Sequence, residues 1–197
     1  KIVALNDLNR EQIEKFAIAR GLSDPKALLD GLERADAWSF AGRPQDLQEV
    51  IGFWRERGRI GTRLEIMKSS IDRRLVERTQ DRLDTHSLPI DRAREGARLA
   101  AAATTLTHNA TIQVPDGREN PTGLPLEEVL SDWTMQDRAT LLSYPVFDEA
   151  IYGTVRFHHR SVREYFTAEW LAELLASSVS RREVESLLFR NQFGMDV

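Results

Sequence analysis

Residues 145–164 read PVFDEAIYGTVRFHHRSVRE, and the change of rhythm within this stretch decides the fold. Pro145-Val146-Phe147-Asp148 and Thr154-Val155-Arg156-Phe157 have the make-up of short half-buried strands, and Gly153 lies in the turn between them. Ser161-Val162-Arg163-Glu164 then carries Ser and Glu three apart, the spacing of a capping box. Phe166, Trp170, Leu171 and Leu174 follow on one face of the helix it opens, a face expected in the core. A strand-turn-strand running into a helix is the second half of a winged helix-turn-helix.

The elements before it supply the first half. Asp91 to His108 is helical and rich in alanine (Ala97, Ala100 to Ala103), which predicts close contact with a neighbouring helix. Thr111-Ile112-Gln113-Val114 alternates as a short strand, and Pro115 to Gly123 is a loop. Pro125 to Leu130 and Thr134 to Leu142 are short helices flanking Asp132-Trp133. The order predicts a winged-helix domain over 86–178. Ser180-Arg181-Arg182-Glu183 is a further capping box and opens 179–197, expected to be the truncated start of another helical region.

Residues 1–85 read as a helical domain. Asn9 and Gln12 form a capping-box-like start, Ile13, Phe16, Ala17 and Arg20 continue the helix, and Gly21 stops it. A second helix runs from Pro25 to Leu32. A third starts at Pro44, carries Leu47, Val50, Ile51 and Trp54 at helical spacing, and ends near Gly58. A fourth covers Thr62 to Leu83 with Leu64, Met67, Ile71 and Leu75 as its stripe. Thr85-His86-Ser87-Leu88-Pro89 marks the boundary. The fold class is therefore mainly α: a small helical bundle, then a winged-helix domain with a short three-stranded β-sheet.

Composition narrows the chemistry. Apolar residues make up 41% and charged residues 29% of the 197, as in ordinary globular chains. No apolar run approaches the ~20 residues of a membrane span. Cysteine is absent, which removes thiol catalysis, disulfides and thiolate metal sites and fits a reducing, cytoplasmic setting. The chain starts at Lys1 and ends soon after Leu187-Leu188-Phe189, so both ends look cut from something longer; Leu187, Leu188, Phe189 and Phe193 are expected to expose surface covered elsewhere. No phosphate loop, dinucleotide fingerprint or zinc-protease motif occurs, and Gly58-Arg59-Ile60-Gly61 has neither the spacing nor the lysine of a phosphate loop. The four histidines form no ligand pair at helical spacing, so no metal site and no self-contained enzyme are expected.

A DNA-reading winged helix surrounds its second short helix with cations. Thr134 to Leu142 has only Arg138, offset by Asp137, and the wing turn Glu149 to Gly153 has no Lys or Arg. With 27 basic against 31 acidic side chains, net −4, nucleic acid is a disfavoured partner. Two readings stay open for His158-His159. One imidazole packs inward while the other is exposed, or the pair and its neighbouring arginines present an anion site beside a helix N-terminus.

Phe157-His158-His159-Arg160-Ser161-Val162-Arg163-Glu164-Tyr165, with Ala168 and Leu171 beyond, resembles the F-x-H-x-S-x-x-E-[FY]-x-x-A motif of the winged-helix domain in NACHT-type signalling ATPases of the STAND class. Gly42-Arg43-Pro44 resembles the proline motif of the preceding helical domain, and the resemblance spans roughly 5 to 176. It implies the regulatory portion of an ATP/ADP switch, without the phosphate-loop core, that gates oligomerisation in signalling or antiviral defence. On that resemblance His159 corresponds to the histidine touching the β-phosphate of ADP, and Pro44 to the proline beside the nucleotide. Arg43, His158 and Arg160 are secondary candidates, and Arg43 could equally be a solvated first-turn residue. Implied partners are the phosphate-loop core of the same protein, a C-terminal sensor and further copies when active; ATP or ADP is the implied cofactor of the intact protein, with no tight binding by this portion. The competing readings are a nucleic-acid-binding winged helix and a plain interaction scaffold.

Overall fold

The structure, a computed structural model, describes residues 6–76, 87–115, 123–177 and 179–189, with the backbone of 191–192 and 195–196. The predicted end of the fourth helix, the predicted boundary near 85 and most of the 115–123 loop lie outside these residues, as does Phe193. Two units make up the chain, Lys1–Arg73 and Arg74–Val197. The class is as the sequence predicts: mainly helical, with a three-stranded antiparallel sheet in the second unit.

In the first unit the capping signals act as read. Asn9 Oδ1 accepts the Gln12 N–H and Gln12 Oε1 accepts the Asn9 N–H, both at 2.9 Å, starting α1 (Arg10–Ala19). Gly21, at φ 75°, lets the chain turn after α1. Asp24 caps α2 (Pro25–Arg34) at 3.0 Å from the Ala27 nitrogen. Then α3 (Pro44–Arg57) ends at Gly58 in the left-handed region, φ 63°. The core joins Ile13, Ala17, Leu28, Leu32, Leu47, Val50, Ile51 and Phe53, with the Trp54 ring lying across Gly31.

The fourth helix, α4 (Arg63–Val76), corrects its predicted stripe at the start: Leu64 is 62% exposed, Met67 is half-buried, and Ile66 enters the core instead. A clamp fixes this rotation. Glu65 accepts from the Thr62 N–H at 2.8 Å and from Arg59 Nη2 at 2.6 Å, while Thr62 Oγ1 accepts the Glu65 N–H. The Arg59 hydrogen bond, followed by those from Thr62, lowers the Glu65 carboxyl to about 2.

The second unit contains α5 (Ile90–Leu106), β1 (Ile112–Gln113), α6 (Leu126–Val129), α7 (Met135–Leu142), β2 (Phe147–Glu149), β3 (Thr154–Phe157), α8 (Arg160–Ala176) and α9 (Arg181–Leu188). The sheet runs β1-β3-β2 with all neighbours antiparallel, pairing Ile112 with Val155 and Phe147 with Phe157. Pro145 and Val146 precede β2 as a turn, where a proline needs no ladder hydrogen bond. A short hairpin of β4 (Asn191–Gln192) and β5 (Met195–Asp196) has no counterpart in the sequence reading.

The alanine face of α5 packs along α8, as its composition predicts, with Ala93, Ala97, Ala100 and Ala101 buried. Thr105 and Thr167 share a hydroxyl hydrogen bond of 3.1 Å across this seam. Arg94 reaches Glu169 at 2.6 Å and Arg98 reaches Glu173 at 2.7 Å. Burial alone would raise the Glu169 carboxyl, but hydrogen bonds from Arg94 and Tyr165 and the charges of Arg94 and Arg98 outweigh it, and the group lies below its usual range. Phe166 is fully buried, whereas Trp170, Leu171 and Leu174 are half-buried, so the predicted core face of α8 is complete only in its first half.

Two outcomes test this packing. A Cβ on Gly96 would lie 2.6 Å from the Trp133 ring and 2.8 Å from Leu141. Gly96→Ala is therefore expected to lower the unfolding free energy in urea by about 1–3 kcal/mol, despite alanine's better helix propensity. Glu65 in the folded chain is expected to titrate by NMR near 2, and Arg59→Gln to move it up toward its usual 4.5. The depressed carboxyl adds stability above pH 4.5 and loses it as pH falls toward about 2.

Candidate functional site

The side-chain parity of β3 places the histidines. Val155 and Phe157 point inward and are buried, while Arg156 is exposed. The chain leaves the sheet through His158 and His159 and enters α8 at Arg160. Both imidazoles are half-buried and both are engaged, but by different partners.

His158 N–H donates to the Val146 carbonyl at 2.9 Å, extending the β2–β3 ladder beyond Phe157. Its Nδ1 lies 3.1 and 3.2 Å from the two Asp148 carboxylate oxygens. The register sets Asp148 opposite Arg156, so Asp148 and His158 are diagonal neighbours on one sheet face. Alternation in the sequence already puts Arg156 and His158 on that face. What it lacks is the register that brings Asp148 there.

His159 is the N-cap of α8, which corrects the predicted capping box at Ser161. Its Nδ1 accepts the Ser161 N–H at 3.2 Å and lies 2.5 Å from Ser161 Oγ. Glu164, the predicted second half of the box, pairs instead with Arg160, Nε to Oε1 at 2.7 Å. The helix starts one residue before Ser161 because an imidazole nitrogen acts as the capping acceptor, a role ordinarily held by Ser, Thr, Asp or Asn. An imidazole whose Nδ1 accepts carries its proton on Nε2. His159 therefore presents an Nε2–H donor, the chemistry needed to reach an anionic oxygen.

The remaining candidates are more exposed. Arg160 has 80% of its side chain in solvent, in an i,i+4 pair of the kind worth about 0.3–0.5 kcal/mol. Arg43 is the N-cap of α3 with extended backbone and no side-chain cap bond, and Pro44 occupies the first helical position; both are exposed. These two belong to the first unit, and the three residues around His159 to the second. The tyrosine of the stretch, Tyr165, donates to Glu169 Oε1 at 2.7 Å and joins the Arg94 network, a structural role the sequence did not signal.

The DNA-reading surface is depleted further. Arg138 donates to the carbonyls of Leu130 and Trp133 at 3.1 and 2.9 Å, holding the turn before its own helix. Glu149 and Ile151 are exposed on the wing, Ile151 by 72%. Among the described residues no group of three or more His, Asp or Glu could hold a metal ion. No described helix is long and apolar enough to cross a membrane.

Substitution separates capping from any ligand role of His159. His159→Ala is expected to cost about 1 kcal/mol of stability in urea unfolding, and His159→Asn to retain most of it, because an asparagine oxygen accepts the same N–H. Comparison with protein-family models, with curated proteins and with solved structures gives no match.

Proposed function

We propose that this chain is the regulatory helical and winged-helix portion of a STAND-type, NACHT-like ATP/ADP switch that gates oligomerisation in signalling or defence. The observation that carries the reading is His159 at the junction of β3 and α8. Its Nδ1 is consumed by the cap, which leaves Nε2–H of this half-buried ring as a donor for a terminal phosphate oxygen. Exposed Pro44 at the start of α3 supports the same reading, since a proline meant to lie beside a nucleotide must be open to one. The inward commitment of Arg138 and a wing that exposes Glu149 and Ile151 but no Lys or Arg argue against sequence reading of DNA.

In this proposal the nucleotide is held by a phosphate-loop core of the same cytoplasmic protein, and the winged helix acts as a latch. With ADP bound, His159 donates to the terminal phosphate and keeps the winged helix against that core. Exchange for ATP, or a signal from a C-terminal sensor, weakens the contact and frees surfaces for assembly. One charge-assisted hydrogen bond is worth about 1.5–3 kcal/mol. Reversing a 1:99 equilibrium takes about 5.5 kcal/mol, so the latch biases a two-state interface rather than locking it.

In the intact protein His159→Ala is expected to speed ADP release and raise basal signalling, while His159→Asn preserves the helix cap as a control. An unchanged ADP off-rate together with an unchanged oligomer distribution would exclude the latch. The present chain alone is expected to bind ATP or ADP no tighter than about millimolar, a level set by one or two hydrogen bonds without a phosphate loop. Micromolar affinity by calorimetry would place a nucleotide site within these residues.

A further inference from the structure

The C-terminal end of α3 gathers arginines from three pieces of chain. Arg55 donates to the carbonyl of Arg20 at the end of α1, and the Arg20 guanidinium lies over the Phe16 ring, 5.1 Å from its centroid. Arg57 lies one turn beyond Phe53 on the same helix face. Arg59 stacks over the Phe53 ring at 5.5 Å from its centroid, and Gly61, just before Arg63, packs against the same ring. All five arginines are exposed. The nearby carboxylates are committed: Glu65 to Arg59, and Glu56 to Ser69 and Arg73. Among the described residues Arg20, Arg55, Arg57 and Arg63 have no carboxylate partner within ion-pair distance.

Part of this charge suits the fold. Cations at the ends of α1 and α3 meet the negative pole of each helix. Arg63 does not, because it is the first residue of α4, where the pole is positive. Arg63, a cation at the positive pole of α4 with no carboxylate partner among the described residues, points to a use outside the fold.

The geometry points to this end of the helical unit as a contact for the phosphate backbone of a nucleic acid, independent of base sequence. The arginines are distributed around a helix end about 10 Å across, too wide for one small anion to meet them all. A strand with a phosphate at every nucleotide meets several at once, and each guanidinium fork fits a phosphate bidentately. The open left-handed turn at Gly58, where an added Cβ would meet nothing within 4 Å, leaves room for a backbone to approach between Arg57 and Arg59. The surface belongs to the first unit, not to the winged-helix elements whose charge disfavours DNA reading, and it needs no base contacts.

The test is fluorescence anisotropy of the 197-residue chain with a labelled, mixed-sequence single strand of about 20 nucleotides. Four phosphate contacts predict a log–log salt slope of about −3, or roughly 50-fold weaker binding at 200 than at 50 mM salt. Arg57→Glu with Arg63→Glu should weaken binding at least about 10-fold and roughly halve the slope in a chain that circular dichroism shows to be folded. Arg181→Glu with Arg182→Glu, the same charge change in the other unit, should weaken it far less. The proposal is overturned by absence of salt-dependent binding, or by equal losses in the two double variants. It is overturned equally if polyglutamate of matching length binds more tightly than the oligonucleotide, which would assign the surface to an acidic protein segment.

Discussion

The ring of Phe157 is the contact on which the second unit turns. It meets Phe147 across the sheet, with centroids 4.7 Å apart, and Phe166 of α8 at 6.2 Å. Aromatic pairs at such separations add about 0.5–1.5 kcal/mol beyond the area they bury. Their larger effect here is on direction. With Phe157 inward, side-chain alternation is fixed, and the chain has only two residues in which to pass from extended strand to helix. His158 closes the ladder on Val146, and His159 receives the Ser161 N–H in the first turn of α8. A shift of one residue in register would turn Phe157 to solvent and carry both histidines to the wrong faces.

Much of this arrangement is legible in the sequence, and the parts that are not share a cause. Asn9 with Gln12 and Ser180 with Glu183 both form the reciprocal caps expected of them, because each is a local exchange across three residues that depends on little else. At Ser161 the same pattern misleads. Glu164 has a nearer cation in Arg160, and the preceding imidazole already serves the helix start. The stripe of α4 is misread in a similar way: the Arg59–Glu65–Thr62 clamp sets the rotation of the helix, and periodicity alone cannot see it. Asp148 beside His158 and Arg94 beside Glu169 depend on strand register and helix packing, separations of 10 and 75 residues that no local pattern encodes.

The two candidate surfaces have different physical characters. At His159 one ring nitrogen is assigned to the helix cap, and the other is left as a donor. At the end of α3 the reverse holds, with more positive charge than the fold uses. A site of the first kind is specific and answers to geometry. The second is diffuse, and its strength falls with salt, since solvent-exposed charges are screened over about 10 Å at 0.1 M.

The cap at His159 has a further consequence. An unrestrained imidazole explores several rotamers, and ordering it for a ligand has an entropic cost of the order of 0.5–1.5 kcal/mol. Here two hydrogens from Ser161 converge on Nδ1, one from the backbone and one from the hydroxyl, and the ring cannot turn without abandoning both. Folding has already taken away the ring's rotational freedom. Whatever accepts a hydrogen bond from Nε2 therefore meets a donor that is immobilised beforehand, aimed by the same two atoms that begin the helix.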